Sequence, residues 1–123
     1  APMLPVWLSP VQVRLIPVSE RHLEFSENLA DRLREFRVDV DDRSETVSRR
    51  VRQAEEEWIP YIVVIGDREA EGGKLKVRVR AERAERELTF EELRERLKAD
   101  VAGKPFRPLP YPRRVSQRPV FAP

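Results

Sequence analysis

The stretch Ile59-Pro-Tyr-Ile-Val-Val-Ile-Gly-Asp-Arg-Glu-Ala-Glu-Gly-Gly-Lys-Leu-Lys-Val-Arg-Val-Arg80 holds two strands of different kinds. Tyr61–Ile65 is an unbroken apolar run rich in β-branched residues, the pattern of a strand covered on both faces. Residues 74–80 alternate instead. Leu75, Val77 and Val79 point one way and Lys74, Lys76, Arg78 and Arg80 the other, because successive side chains of a strand change face. Between the two strands, residues 66–73 read as a polar loop closed by Gly72 and Gly73. The cation row has two readings at this point, a solvated sheet face or a surface for a polyanion. Like charges two residues apart repel, so a row of one sign suits phosphate contact and counterion release.

Outward from this stretch, the order of elements sets the fold. A proline-rich lead-in over residues 1–10 predicts extended chain. Residues 11–18 then predict a strand ending at Pro17, with Ser19 as the N-cap of a helix running to about Phe36. Residues 38–41 predict a second strand. Ser44 is the expected cap of a second helix, with Val47, Val51, Ala54 and Trp58 on its apolar line and Arg49, Arg50 and Arg52 opposite. Pro60 stops that helix and starts the buried strand. Strand, helix, strand, helix, strand implies two βαβ crossovers and three parallel strands. Residues 74–80 should return antiparallel, with Glu87 and Leu88 adding a short fifth strand. Thr89-Phe-Glu-Glu92 is a capping box for a third helix with Leu93, Leu97 and Val101 on one face, ended by Gly103 and Pro105. The expectation is a mixed α/β domain, a five-stranded sheet flanked by three helices over residues 11–102. A basic, proline-rich tail follows over residues 103–123, either a solvated terminus or an arm for phosphate or a neighbouring domain.

Composition narrows the chemistry. With 123 residues the chain suits one core, and with no Cys and a single His it excludes thiol chemistry and a multi-histidine metal site. Neither a signal peptide nor a run of membrane-spanning length is visible, so the expectation is a cytoplasmic protein without a membrane partner. Net charge is only +2 although 37% of residues are charged, mostly Arg and Glu, a balance resembling proteins from hot environments. No phosphate loop, nucleophile elbow or zinc-helix motif is present, and no catalytic residue is assigned. Asp39, Asp41 and Asp42 are open to two readings, a magnesium site or capping and ion pairing with Arg43. Arg52, Glu69 and Arg78 together suit a single-stranded RNA reader. A carboxylate accepts the paired N–H groups of an unstacked guanine, and guanidinium groups donate to uracil carbonyls.

Three segments carry a resemblance: Val6-Trp-Leu-Ser-Pro-Val-Gln-Val13, Val38-Asp-Val-Asp-Asp-Arg43 and Pro60-Tyr-Ile-Val-Val-Ile-Gly-Asp67. Together they resemble the anticodon-binding domain of class II aminoacyl-tRNA synthetases. Residues 66–74 and 77–80 look like the threonyl member, and 103–110 like its archaeal form. The resemblance implies the carboxyl-terminal part of a longer, homodimeric threonine–tRNA ligase. The ATP, magnesium and zinc of that enzyme belong to its catalytic domain, and this fragment carries no cofactor of its own. It further implies that Arg52, Glu69 and Arg78 read the G and U of the threonine anticodon. Ser44 stands where bacterial members have Asn. Lys74, Lys76, Arg80 and Arg49 are the expected contacts to the RNA backbone. The expected partners are tRNA and the catalytic domain of the same chain. Rival readings are a protein-interaction or accessory-subunit module on the same fold, or a prolyl or histidyl parent.

Overall fold

A computed structural model describes residues 4–119; residues 1–3 and 120–123, the outer ends of the expected lead-in and tail, lie outside the described residues. Five strands form one sheet: Val13–Pro17 (β1), Val38–Val40 (β2), Tyr61–Ile65 (β3), Leu75–Val79 (β4) and Ala84–Leu88 (β5). The helices are Leu23–Arg32 (α1), Val47–Glu56 (α2), Asp67–Ala70 (α3) and Phe90–Val101 (α4). Spatial order is β2-β1-β3-β4-β5, with β1 parallel to β2 and β3, and the β3–β4 and β4–β5 pairs antiparallel. This is the mixed sheet that the order of elements implies.

Alternation along the strands divides the core into two layers. Val13, Leu15, Tyr61, Val63, Val77 and Val79 face α1 and α4, where Leu29, Leu33, Leu93 and Leu97 complete one cluster. Ile16 and Ile62 face the opposite way, toward Ala54 of α2 and Ile59. β3 contributes to both clusters, which explains its unbroken apolar sequence. Among the described residues α2 is the helix on the second face, packing on β1 and β3, and Leu109 of the tail adds to that cluster. On β4 and β5 the residues of that face, Lys76, Arg78, Glu85 and Glu87, are exposed.

Five local expectations give way. The first helix is shorter than residues 19–36: a 3-10 turn over Glu20–His22 leads into α1, and tight turns after Arg32 carry Leu33 and Phe36 into the core. The cap of α2 is Thr46, whose Oγ1 accepts from the Arg49 amide at 3.1 Å; Ser44 lies two residues upstream on an exposed bend. Trp58 leaves the apolar line, because α2 ends at Glu56 and Trp58 adopts φ +59°, turning its ring outward while Ile59 enters the core. Arg50, expected outside, is buried; its guanidinium donates to the carbonyls of Pro17 and Asp41 at 2.8 and 2.9 Å. In the lead-in, Val6–Leu8 forms one 3-10 turn in place of extended chain, since the interval between Pro5 and Pro10 is long enough to close it.

The tail is draped over the domain. Val40 donates its amide to the Arg113 carbonyl at 2.9 Å, a bridge that adds the tail to the open edge of β2. Ser116 donates through its amide and hydroxyl to Asp42 at 2.9 and 2.7 Å, and Arg113 reaches Asp31 at 2.7 Å. Arg118 donates to Asp39 Oδ2 at 2.7 Å and stacks on Tyr111. Asp39 is fully buried and also receives the fork of Arg14 at 3.1 and 2.9 Å, while Arg14 turns its remaining donors to Glu57 at the end of α2. Burial works against the Arg14 charge, yet these two carboxylates hold its pKa above the ordinary guanidinium value. No helix among the described residues is long and apolar enough to cross a membrane.

Candidate nucleic-acid interface

β3 delivers the chain to Gly66, and residues 67–70 coil into α3 where a loop was expected. Glu69 stabilises that turn: its Oε1 accepts the Gly66 amide at 2.7 Å, and the residue is only 7% exposed. Such an arrangement satisfies an amide that a helix start leaves without an internal partner. Glu69 is therefore a helix-start residue as well as a candidate reader. Asp67 beside it binds Arg21 through both oxygens at 3.0 and 2.9 Å and His22 Nε2 at 2.6 Å. His22 Nδ1 accepts from the Ser19 amide at 3.2 Å, which assigns the ring proton to Nε2, facing Asp67. Hydrogen bonds from Arg21 and His22 lower the Asp67 pKa to about 2. The loop after β1 is thereby fastened to the loop after β3. Gly73 then turns the chain into β4, with its amide on the Arg68 carbonyl at 2.9 Å, and a Cβ there would sit 2.7 Å from that oxygen.

Along β4, Leu75, Val77 and Val79 are buried while Lys76 and Arg78 are exposed, as alternation requires. The cation row is not free of acid, however. β5 places Glu87 opposite Lys76 and Glu85 opposite Arg78. α2 adds Glu55, whose Oε2 lies 3.4 Å from Arg78 Nη1 and 3.7 Å from Arg80 Nη1. Arg80 also stacks on the outward ring of Trp58, 4.5 Å from its centroid. Lys74 remains exposed at the start of the row.

The expected site residues fall in three places. Arg52 and Arg49 line a groove of about 530 Å³ along the outer side of α2 with Thr46, Gln53 and Glu56. Arg78 and Arg80 join that helix at Glu55, one turn beyond Arg52. Glu69 and Lys74 lie instead where β3 ends and β4 begins. From Lys74 to Arg78 is about 13 Å along an extended strand, near the span of two or three unstacked nucleotides. Ser44 borders a separate cleft of about 420 Å³ with Ser19, Arg43, Arg50 and Arg114. Sequence reasoning missed Glu55, Glu85 and Glu87. The alternation of Glu85 and Glu87 is visible in the sequence, but their effect on the cation row depends on hairpin register.

The acidic cluster at the end of β2 is taken up by the protein itself. Asp39 binds Arg14 and Arg118, Asp41 binds Arg43 at 2.9 and 2.7 Å, and Asp42 binds Ser116. Among the described residues no group of three or more His, Cys, Asp or Glu side chains is arranged to hold a metal ion. Zinc and magnesium do not fit the residues present here.

An α/β domain with half of one sheet face open, and charged side chains displayed there beside an arginine-bearing helix, belongs to the class of recognition modules. The family model described as "Anticodon binding domain" matches residues 12–100, and the chain belongs to that family. It is 49% identical over 125 residues to the threonine–tRNA ligase of Methanosarcina barkeri and 51% identical over 128 residues to that of Methanocaldococcus jannaschii. Both alignments cover 98% of this chain but only 20% and 21% of the relatives, so the chain spans about a fifth of their length. Among solved structures it resembles the RNA binding domain of threonyl-tRNA synthetase from Cryptosporidium parvum Iowa II, with TM-score 0.71 and 29% identity over 78% of this chain and 25% of that one. The prolyl-tRNA synthetase of the same organism shares the fold, with TM-score 0.65 and 23% identity over 80% of this chain and 23% of that one. These likenesses favour the threonyl over the prolyl alternative and bear out the resemblance to the archaeal form.

Proposed function

We propose that this chain is the part of a threonine–tRNA ligase that recognises the anticodon of threonine tRNA, reading its G and U. The observation that carries the reading is the open half-face beside α2, where exposed Arg78 reaches Glu55, one helical turn along α2 from Arg52, in a chain about half identical to threonine–tRNA ligases. Arg78 and Arg52 donate to base carbonyls. Glu69 keeps Oε1 on the Gly66 amide and offers Oε2 to a guanine edge. Lys74, Lys76, Arg80 and Arg49 attract the phosphate backbone, and Ser44 contributes a hydroxyl from the bend before α2. Residues 1–10 are the lead-in from a catalytic part, residues 11–102 the recognition domain and residues 103–123 its basic tail, in which Arg113 bonds to the β2 edge. ATP, threonine and metal chemistry belong to that catalytic part in a cytoplasmic homodimer. Binding energy gathered at the anticodon places the acceptor end there.

The test is binding of stem-loop RNAs with cognate or transposed anticodon bases at two salt concentrations. Glu69→Gln is the informative variant, because it preserves an acceptor for Gly66 while replacing a carboxylate oxygen with a donor. It and Arg78→Ala should each weaken cognate binding by about 1–3 kcal/mol and blunt the preference. Lys74→Ala should weaken both RNAs alike and flatten the salt dependence. Equal losses on both RNAs for Glu69→Gln and Arg78→Ala remove their reading role.

A further inference from the structure

Arg78 is held loosely, and that looseness is informative. Its contacts to Glu55 and Glu85 measure 3.4 and 4.0 Å, against 2.7 Å for the closest contact in each of the Arg94–Glu35 and Arg43–Asp41 pairs. A guanidinium carries five N–H donors. Among the described residues only one of those on Arg78 makes a hydrogen bond, to Glu55, and the side chain is 44% exposed. Two carboxylates thus fix the position of the fork without saturating it. Glu55 serves Arg80 in the same way, while Trp58 supports the guanidinium of Arg80 from one side.

The consequence concerns which ligand such a fork accepts. A phosphate brought to Arg78 would meet Glu55 and Glu85, with Glu87 two pairs further along the hairpin on the same face, and like charges at these separations repel. A nucleobase edge carries neutral carbonyl acceptors and meets no such penalty. We propose that Glu55, assisted by Glu85, is a specificity-determining residue of this face: it orients Arg78 for a neutral base edge and withholds it from backbone phosphate. This inference rests on the anticodon reading above. It also moves Lys76, which faces Glu87, and Arg49, whose Nε lies 3.4 Å from Glu45, out of the set of strong phosphate contacts and leaves that role to Lys74.

Glu55→Gln and Glu85→Gln keep the side-chain shape and remove the charge. Each is compared with the unaltered chain against the cognate stem-loop and the transposed one at two salt concentrations, with a thermal melt to compare folding. The expected result is a rise of about fivefold in affinity for the transposed RNA at low salt, the effect of one charge at a half-exposed site. The salt slope should steepen and the cognate preference should shrink by a similar factor. A variant that had merely lost structure would bind both RNAs more weakly and melt earlier, which overturns the inference. So does an unchanged preference with an unchanged slope in both variants. If the unaltered chain itself binds the two RNAs equally, the anticodon reading fails and takes this inference with it.

Discussion

Replacing Arg14 by methionine probes the ion network that joins the sheet, the end of α2 and the tail. Arg14 and Asp39 are both fully buried, and truncating one partner of such a pair costs about 3–5 kcal/mol, because the other charge is left in a poorly solvated place. Two features argue for the lower end of that range, about 3 kcal/mol. Arg118 still donates to Asp39 Oδ2, and the Glu57 side chain, 42% exposed, can recover water. Arg118→Met alone removes the charge-assisted bond to Asp39 together with the bond to the Pro112 carbonyl and the stack on Tyr111, and should cost about 2 kcal/mol. The two arginines share one carboxylate, so the double variant leaves Asp39 without any cation. Its loss should exceed the sum of the singles by about 1–2 kcal/mol. Urea unfolding followed by the fluorescence of Trp7 and Trp58 measures all three against the unaltered chain, with a constant m-value confirming that midpoints report stability. Additivity within about 0.5 kcal/mol, or a loss below about 1 kcal/mol for Arg14→Met, would refute the reasoning.

Acid should weaken the fastening between the loop after β1 and the loop after β3. Asp67 is held at about pKa 2, below its unfolded value near 4, so the stability it contributes is present above about pH 4 and is lost as pH falls toward 2. Asp67→Asn should flatten the fall of Tm between pH 4 and pH 2, and an identical fall in both proteins counts against this. Gly73→Ala puts a methyl group against the Arg68 carbonyl oxygen and should cost about 1–3 kcal/mol in chemical unfolding, where no loss would mean the turn can shift freely. The Arg- and Glu-rich composition leads us to expect a Tm above about 60 °C by calorimetry, and a lower value removes the inference of a hot environment.

Local patterns carried the fold and pairwise geometry decided the site. The unbroken run of β3 and the alternation of β4 were legible because each is a property of one strand, and Thr89 capping α4 is a property of four consecutive residues. Trp58 was misplaced because helical spacing presumes that the helix continues, and α2 stops before it, whereas Arg50 lies within α2 and is buried because its guanidinium reaches the carbonyls of Pro17 and Asp41. The acids facing Lys76 and Arg78 depend on the register between β4 and β5, which is set by the turn at residues 80–83. Glu69 reads as a loop carboxylate until the chain is seen to coil there. Docking of the tail depends on arginines finding Asp31 and Asp39 across distances in sequence that no periodicity records.

The bridge between Val40 and the tail bears on how the molecule behaves when crowded. Without it, β2 would present a rim of unsatisfied amides and carbonyls to any stray polypeptide, and sheets grow by recruiting strands at such rims. The far side ends in β5, whose Glu85, Arg86 and Glu87 make a poor template for an apolar newcomer. Shortening the chain by a dozen residues should therefore show itself first as turbidity in concentrated solution, before any change in melting is noticed.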